Sequence, residues 1–556
     1  MGGNIRIIVL LYGNFALREG VLPLRRRSAF PSRQTLTHGS DAESFGELVV
    51  CLAKRALKRT KVQTCNSFTS RICRISSRAG LLSRHPNMTL LQHSSLLLLL
   101  PACALALRVG APARAPAQRQ AVTSVLMQEG AAVSDAVTKR AERRRIMGMD
   151  KYKRGGQPFE KAIHTSVAGK MATKFKSELV EELKQDTFRQ MKRGEGNGVV
   201  TFTLAKEYGF CWGVERSIEL AWAARDAYPD KKMHITNELI HNPGVNDMLK
   251  DMDIKFIEQT KVGKRFDTVE EGDVVILPAF GASLEEMQYL AKREVTVVDT
   301  TCPWVSKVWN VVDKHQVAGM TSVIHGKYKH EEAVATASMC ETYIMVKDMD
   351  EATELASYIL GEPGSLTTEA LMEKFKNAMS PHFDPKKHLK KLGLANQTTM
   401  YKKETQAIGK LFEKTMMTKY GAENINEHYA AFDTICDATQ VRQDAITEMI
   451  ESEAAKELDC ILVVGGWDSS NTAHLLEIPV HAGFTAYHVN VPSCIAPENT
   501  IQHRTVDGEI VTTANFLPLD RPARIGITSG ASTPDSVVQE CLERIVLLKS
   551  VAATQK

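Results

Sequence analysis

Three cysteines far apart in the chain, Cys211, Cys302 and Cys436, share one local grammar. Each follows a loop and opens a stretch of helical period: GFCWGVERSIELA, TTCPWVSKVWNVV and ICDATQVRQDAI. After Cys211, the apolar residues Val214, Ile218, Ala221 and Trp222 recur on one face. After Cys302, Val305, Val308, Trp309 and Val312 do the same, and after Cys436, Val441, Ala445 and Met449 repeat every four. This is the pattern of amphipathic helices. A cysteine at a helix N-terminus sits in a positive field that favours the thiolate, and the thiolate is the metal ligand. A lone buried cysteine is more often inert packing. Three with the same polar and glycine-rich surroundings could converge on one soft-metal site.

Other polar residues stand where strands hand over to loops. His241 precedes Asn242-Pro243-Gly244, a turn signal. His330 and Glu332, in HGKYKHEEA, are two apart and could face one cavity, the histidine donating to an anion and the glutamate passing a proton. Thr398 and Thr399 follow a short apolar run in LANQTTM. Ser469, Ser470 and Asn471 (GGWDSSNTAHL) and Ser532 (TSGASTPDSVV) lie in small polar loops that run into helices. Such loops cap helices in many proteins. Two of them beside three thiolates favour a pocket for phosphate oxygens, although neither matches the P-loop pattern.

The elements that must position these residues alternate. Strands are predicted at 199–205, 273–279, 294–300, 322–326, 460–466 and 524–530, each β-branched and apolar, with helical runs between them. That alternation predicts α/β architecture with mostly parallel sheets, whose ligands bind at the carboxyl ends of the strands. The body is expected over 199–550, as lobes spanning roughly 212–302, 303–435 and 436–550 with 199–211. A charged helical arm is expected at 121–198 and a charged helical insertion at 362–391.

The net charge of +5 over 556 residues conceals two regions. Residues 1–120 hold 18 Lys/Arg and four Asp/Glu, a local +14, which leaves the remainder of that +5 chain at −9. The acidic body argues against a nucleic-acid surface. Eleven cysteines are too sparse and irregular for a disulfide scaffold. No apolar run reaches the roughly 18 residues of a membrane span. The first 120 residues, rich in Arg and Ser, read as a targeting presequence. From Met88 a short leucine block and Ala104-Leu105-Ala106 resemble a signal peptide, followed by an Arg/Ala/Pro-rich segment. Signal followed by transit peptide suits a complex plastid, with translation expected to start at Met88.

Together, the cysteine segments with HNPGVNDML, HGKYKHEE, ANQTTM, GGWDSSN and SGASTPD resemble the 4-hydroxy-3-methylbut-2-enyl diphosphate reductases in their plant and cyanobacterial form, over roughly residues 140–550. The resemblance implies three α/β lobes around a central cavity. It implies that Cys211, Cys302 and Cys436 hold one [4Fe–4S] cluster with one iron open to the substrate's allylic hydroxyl. It implies His241, His330, Ser469, Ser470, Asn471 and Ser532 as diphosphate ligands, Glu332 as proton donor and Thr398 as the residue positioning the hydroxyl end. Isopentenyl and dimethylallyl diphosphate would be the products, ferredoxin the electron donor and the plastid stroma the location. Phe280 stands where bacterial members have histidine, as in the plant-type branch, and is expected to be a pocket wall. Asp468 stands where plant-type relatives usually have asparagine and is expected to weaken anion binding slightly. The cysteines alone also allow a non-catalytic iron–sulfur sensor or scaffold, or a structural zinc protein. Separations of 91 and 134 residues are unlike the local pairs of zinc modules.

Overall fold

Runs of branched apolar residues covered on both faces belong in parallel sheets, and three larger sheets use them here. The computed structural model describes residues 133–155, 158–187, 189–260 and 263–554, with side chains from residue 139 onward. The presequence reading of residues 1–120, Met88 included, lies outside the described residues. The first sheet runs Tyr152–Lys153, Thr296–Asp299, Val274–Leu277, Met233–Ile235, Ile254–Phe256, all parallel. The second runs Tyr343–Val346, Thr321–His325, Leu392–Asn396, Tyr429–Ala431, again parallel. The third has a parallel centre of Ala486–Val489, Cys460–Val464, Ala523–Ser529 and Val200–Leu204. Thr500–Arg504 and Gln190–Arg193 flank it antiparallel. All six strands expected from the sequence are present. Met233–Ile235, Leu392–Asn396 and Tyr429–Ala431 were not expected, because His234, Gly393 and Asn396 break the apolar runs that would announce them.

A cysteine marks each passage from one sheet to the next. Cys211 follows Val200–Leu204 and caps the helix Trp212–Ala227. That helix packs Ile218, Ala221 and Trp222 against Met233, Ile235 and Ile276 of the first sheet. Cys302 follows Thr296–Asp299 and caps Pro303–Val317, with Pro303 pre-set for the first helical position. Val308, Trp309 and Val312 share a core with Val323, Ile324 and Leu394 of the second sheet. Cys436 follows Tyr429–Ala431 and caps Asp437–Glu451, whose Ala445, Ile446 and Met449 pack on Ile461 and Val463 of the third sheet.

Two details depart from the sequence reading. Val441 is exposed; the buried face is Arg442, Ala445, Ile446 and Met449. A repeat of every four residues drifts off a helix of 3.6 per turn, so it chose the wrong neighbour of Arg442. The stretch read as a peripheral arm is tied into the body. It supplies edge strands to the first and third sheets. Its buried Arg143 donates to Asp313 at 2.7 Å, and Phe175 packs edge-on to Phe210 beside Cys211. Within 362–391 there are two short helices, Thr368–Lys374 and Pro385–His388, anchored by buried Leu371, Phe375 and Phe383. No helix among the described residues is long and apolar enough to cross a membrane.

Close packing gives a direct test. A Cβ on Gly393, inside the second sheet, would lie 2.3 Å from the ring of His315, which is fully buried against it. Gly393→Ala should therefore cost about 1–3 kcal/mol through overpacking, read as a lower apparent Tm in a thermal melt.

Candidate functional site

Parallel sheets expose their ligand-binding loops at the carboxyl ends of the strands, and all three sheets turn those ends to one cavity. From the first sheet come His241, Phe280 and Cys302; from the second His330, Glu332, Thr398 and Cys436; from the third Cys211, Ser469, Ser470, Asn471 and Ser532. These residues line one space of about 700 Å³ of empty volume. The three cysteines, the candidate diphosphate ligands, Thr398 and Glu332 are therefore brought together.

Each cysteine is pinned through its backbone. The amide of Cys211 donates to Ala531 O at 3.1 Å, that of Cys302 to Ala279 O at 3.0 Å, and that of Cys436 to Thr398 O at 3.1 Å. Every acceptor is, or lies beside, a residue that lines the cavity. At Cys302 and Cys436 burial opposes the helix-terminal field. Burial pushes the Cys302 thiol up to about 12, and the Trp304 amide only partly opposes it. Burial also raises Cys436. Desolvation thus works against ionisation of Cys302 and Cys436, and metal uptake must displace their protons.

The anion end is built from donors. His330 caps the helix Glu331–Ser338, and its Nδ1 accepts the Glu332 amide at 3.2 Å. That bond leaves the hydrogen of a neutral imidazole on Nε2. Burial, then the charges of His241 and Lys327, push His330 down to about 3, so it is neutral near pH 7. His330 Nε2 lies 3.4 Å from His241 Nε2, and His241 Nδ1 is 3.2 Å from Glu238. Phe280 stacks on His241 at 4.3 Å and meets His330 edge-on at 5.6 Å. Ser469 caps the helix Ser470–His481. Asn471 accepts the Ala531 amide at 2.9 Å through Oδ1, while its Nδ2 is buried without a partner. An unpaired buried donor costs about 1–3 kcal/mol, a cost that an anionic oxygen in the cavity would remove.

Glu332 is buried between the two ends. The Thr398 amide donates to its Oε1 at 2.6 Å and the Thr398 hydroxyl to Oε2 at 3.0 Å. Burial nonetheless pushes the carboxyl up to about 7. A carboxyl poised there can hold and release a proton at neutral pH.

The family model described as LytB protein matches residues 202–546. The chain belongs to the LytB family. It is 48% identical over 406 residues to the 4-hydroxy-3-methylbut-2-enyl diphosphate reductase of Crocosphaera subtropica, covering 73% of this chain and 97% of that one. It is 49% identical over 387 residues to the enzyme of that name from Picosynechococcus sp., covering 70% and 93%. A solved structure of the E-1-hydroxy-2-methyl-but-2-enyl-4-diphosphate reductase from Plasmodium falciparum aligns at 22% identity over 62% of this chain and 86% of that one, with a TM-score of 0.44.

Several residues of this LytB chain's site were not legible in advance. Asn242 donates to Ser532 O at 2.8 Å and Ser532 to His241 O at 3.2 Å, joining the first and third sheets. Gln397 donates to Thr399 at 2.7 Å and Ser470 at 3.4 Å while accepting the Lys327 amide at 3.1 Å. Arg216 and Arg442 are buried beside the cysteine loops, although arginines on amphipathic helices ordinarily face water. Asp468 is exposed and does not line the cavity. His241, His330 and Glu331 offer ligand atoms within 4.8 Å of one another. The His330 tautomer argues for anion binding there, because metal at Nε2 would require the hydrogen on Nδ1, where the Glu332 amide already donates.

The cysteine geometry is tight enough to test. A Cβ on Gly213 would lie 2.7 Å from Cys302 Sγ and 3.9 Å from Cys211 Sγ. Gly213→Ala should displace the Cys302 sulfur and cut the iron and sulfide retained after anaerobic reconstitution at least severalfold, with the far-ultraviolet circular dichroism unchanged.

Proposed function

We propose that this chain is a 4-hydroxy-3-methylbut-2-enyl diphosphate reductase acting in plastid isoprenoid synthesis. The substrate takes two electrons and two protons, loses its allylic hydroxyl as water, and leaves as isopentenyl or dimethylallyl diphosphate. The observation that carries the reading is one cavity with three helix-capping cysteines, a buried Glu332–Thr398 pair and convergent anion donors, in a chain spanning 97% of a relative bearing that name.

The donor set fits an iron–sulfur group. Thiolates are soft ligands, and four of them saturate a cluster, whereas three leave one iron free. We assign Cys211, Cys302 and Cys436 as the ligands of a [4Fe–4S] cluster. When bound, the cluster would supply the electrons and a Lewis-acidic iron.

The protein's own residues do the rest. His241, His330, Ser469, Ser470, Asn471 and Ser532 hold the diphosphate, the His330 Nε2–H and Asn471 Nδ2–H donating to its oxygens. Thr398 orients Glu332 through amide and hydroxyl and places the alcohol end of the substrate. Glu332 delivers a proton to the departing hydroxyl. Phe280 walls the pocket against His241. The chemistry's electrons suit a small one-electron carrier such as ferredoxin, and cyanobacterial relatives support a plastid stromal location. A sensor or scaffold would have no use for the diphosphate donors.

Because burial raises Glu332 to about 7, it holds its proton below that pH and loses it above. The kcat profile, followed with reduced viologen, should therefore fall as pH rises past about 7. Glu332→Gln should keep the iron content, lose most turnover and show no such limb. Near-parent kcat in that variant would remove Glu332 from proton delivery. Asn471→Asp keeps the acceptor for the Ala531 amide and replaces the donor with an anion. A lost hydrogen bond to a charged group is worth about 1.5–3 kcal/mol, so KM should rise on the order of 10- to 100-fold, with kcat less affected. An unchanged KM would place the diphosphate elsewhere.

A further inference from the structure

We infer that Arg216 and Arg442 are positioning residues that clamp the cysteine loops to one another and fix positive charge beside the three sulfurs, setting the reduction potential of the centre they hold. The inference rests on the iron–sulfur reading of the site given above.

The two arginines follow one rule. Arg442 belongs to the helix opened by Cys436 and reaches the loop that precedes Cys211. It donates to Gly209 O at 2.7 Å and Tyr208 O at 3.4 Å, and to Ala438 O at 2.8 Å in its own helix. Arg216 belongs to the helix opened by Cys211 and reaches the loop that precedes Cys302. It donates to Thr301 O at 3.4 Å and Thr300 O at 3.5 Å, and to Gly155 O at 2.7 Å. Each arginine therefore starts from one cysteine's helix and holds the approach to the next cysteine. The planar fork of a guanidinium suits paired carbonyls better than an ammonium does.

Carbonyl dipoles satisfy these donors but do not neutralise them. Arg442 is 4% exposed and Arg216 9%. Among the described residues neither forms an ion pair with a carboxylate, and Arg442 Nε is buried with no partner. A buried cation without a counter-ion is costly. Burial lowers both guanidinium pKa values. Cys211 and Cys436, with Glu207 and Glu215, oppose that at Arg442; Asp299, Cys302 and Glu219 oppose it at Arg216. The bonds themselves place the guanidinium groups next to the cysteines: Thr301 precedes Cys302, Gly209 lies two residues before Cys211 and Ala438 two after Cys436. Reduction adds negative charge to the centre, so a fixed cation nearby favours the reduced state in a low-dielectric site.

The test uses the reconstituted holoprotein with Arg442→Gln, Arg442→Lys, Arg216→Gln and Arg216→Lys. Iron and sulfide content is measured first, then the midpoint potential by electron paramagnetic resonance during a redox titration. Gln variants that retain parent iron should titrate at more negative potential, and Lys variants should return towards the parent value. Iron-loaded Gln variants with the parent potential would overturn the inference and leave the iron–sulfur reading standing. If the Gln variants fail to hold iron, the Lys variants decide. Iron retained at the parent potential supports a role for the charge, whereas iron lost there too reduces both arginines to structural clamps and overturns it. A parent protein that takes up no iron and sulfide would sink the underlying reading and the inference together.

Discussion

The site depends on three backbone hydrogen bonds, from the amides of Cys211, Cys302 and Cys436 to the carbonyls of Ala531, Ala279 and Thr398. A cysteine that caps a helix has a free amide, and a strand end has a free carbonyl. Pairing them satisfies both and fixes the sulfur relative to a loop that also lines the polar end of the cavity. The candidate metal end and the candidate anion end therefore share one frame. Neither can be displaced without the other, because Ala531 adjoins Ser532, Ala279 adjoins Phe280, and Thr398 itself holds Glu332.

Burial acts on Cys302, Cys436, Glu332 and His330 in that frame, with different consequences. It raises the Cys302 and Cys436 thiols, whose ionisation a bound cation would compensate. It raises Glu332 into the neutral range, where a carboxyl is useful as an acid. It lowers His330 far below neutrality and so keeps the imidazole a neutral donor. One physical cause, the exclusion of water by three sheets that meet at their carboxyl ends, prepares three kinds of group.

Much of this was legible because it follows local rules. Strands such as Val274–Leu277 and Cys460–Val464 are uninterrupted apolar runs rich in β-branched residues, and the helices after Cys211 and Cys302 have clear period. The polar loops were legible because Ser469 and Ser532 sit just beyond such runs. What escaped depends on partners distant in sequence. Leu392–Asn396 is a central strand in spite of Gly393, whose missing side chain admits the ring of His315 from a different element. The face of the helix after Cys436 was misassigned because Arg442, not Val441, is buried, its donors met in part by the distant carbonyls of Tyr208 and Gly209. Asn242 read as a turn former; its second role, bridging to Ser532, appears only when the first and third sheets meet.

The helix Glu331–Ser338 shows how closely anion and proton chemistry can be joined. Its capping residue, His330, uses Nδ1 to accept the Glu332 amide, as a serine or aspartate would use oxygen. A histidine cap does something those residues cannot, because engaging one ring nitrogen dictates which atom of a neutral ring bears the hydrogen. The same bond holds the backbone of Glu332, whose carboxylate then turns away to Thr398. A single hydrogen bond thereby sets the donor offered to an anion and the position of the acid beside it. Removing the imidazole would free both, so the first turn of this short helix couples the two ends of the cavity more directly than any contact across it.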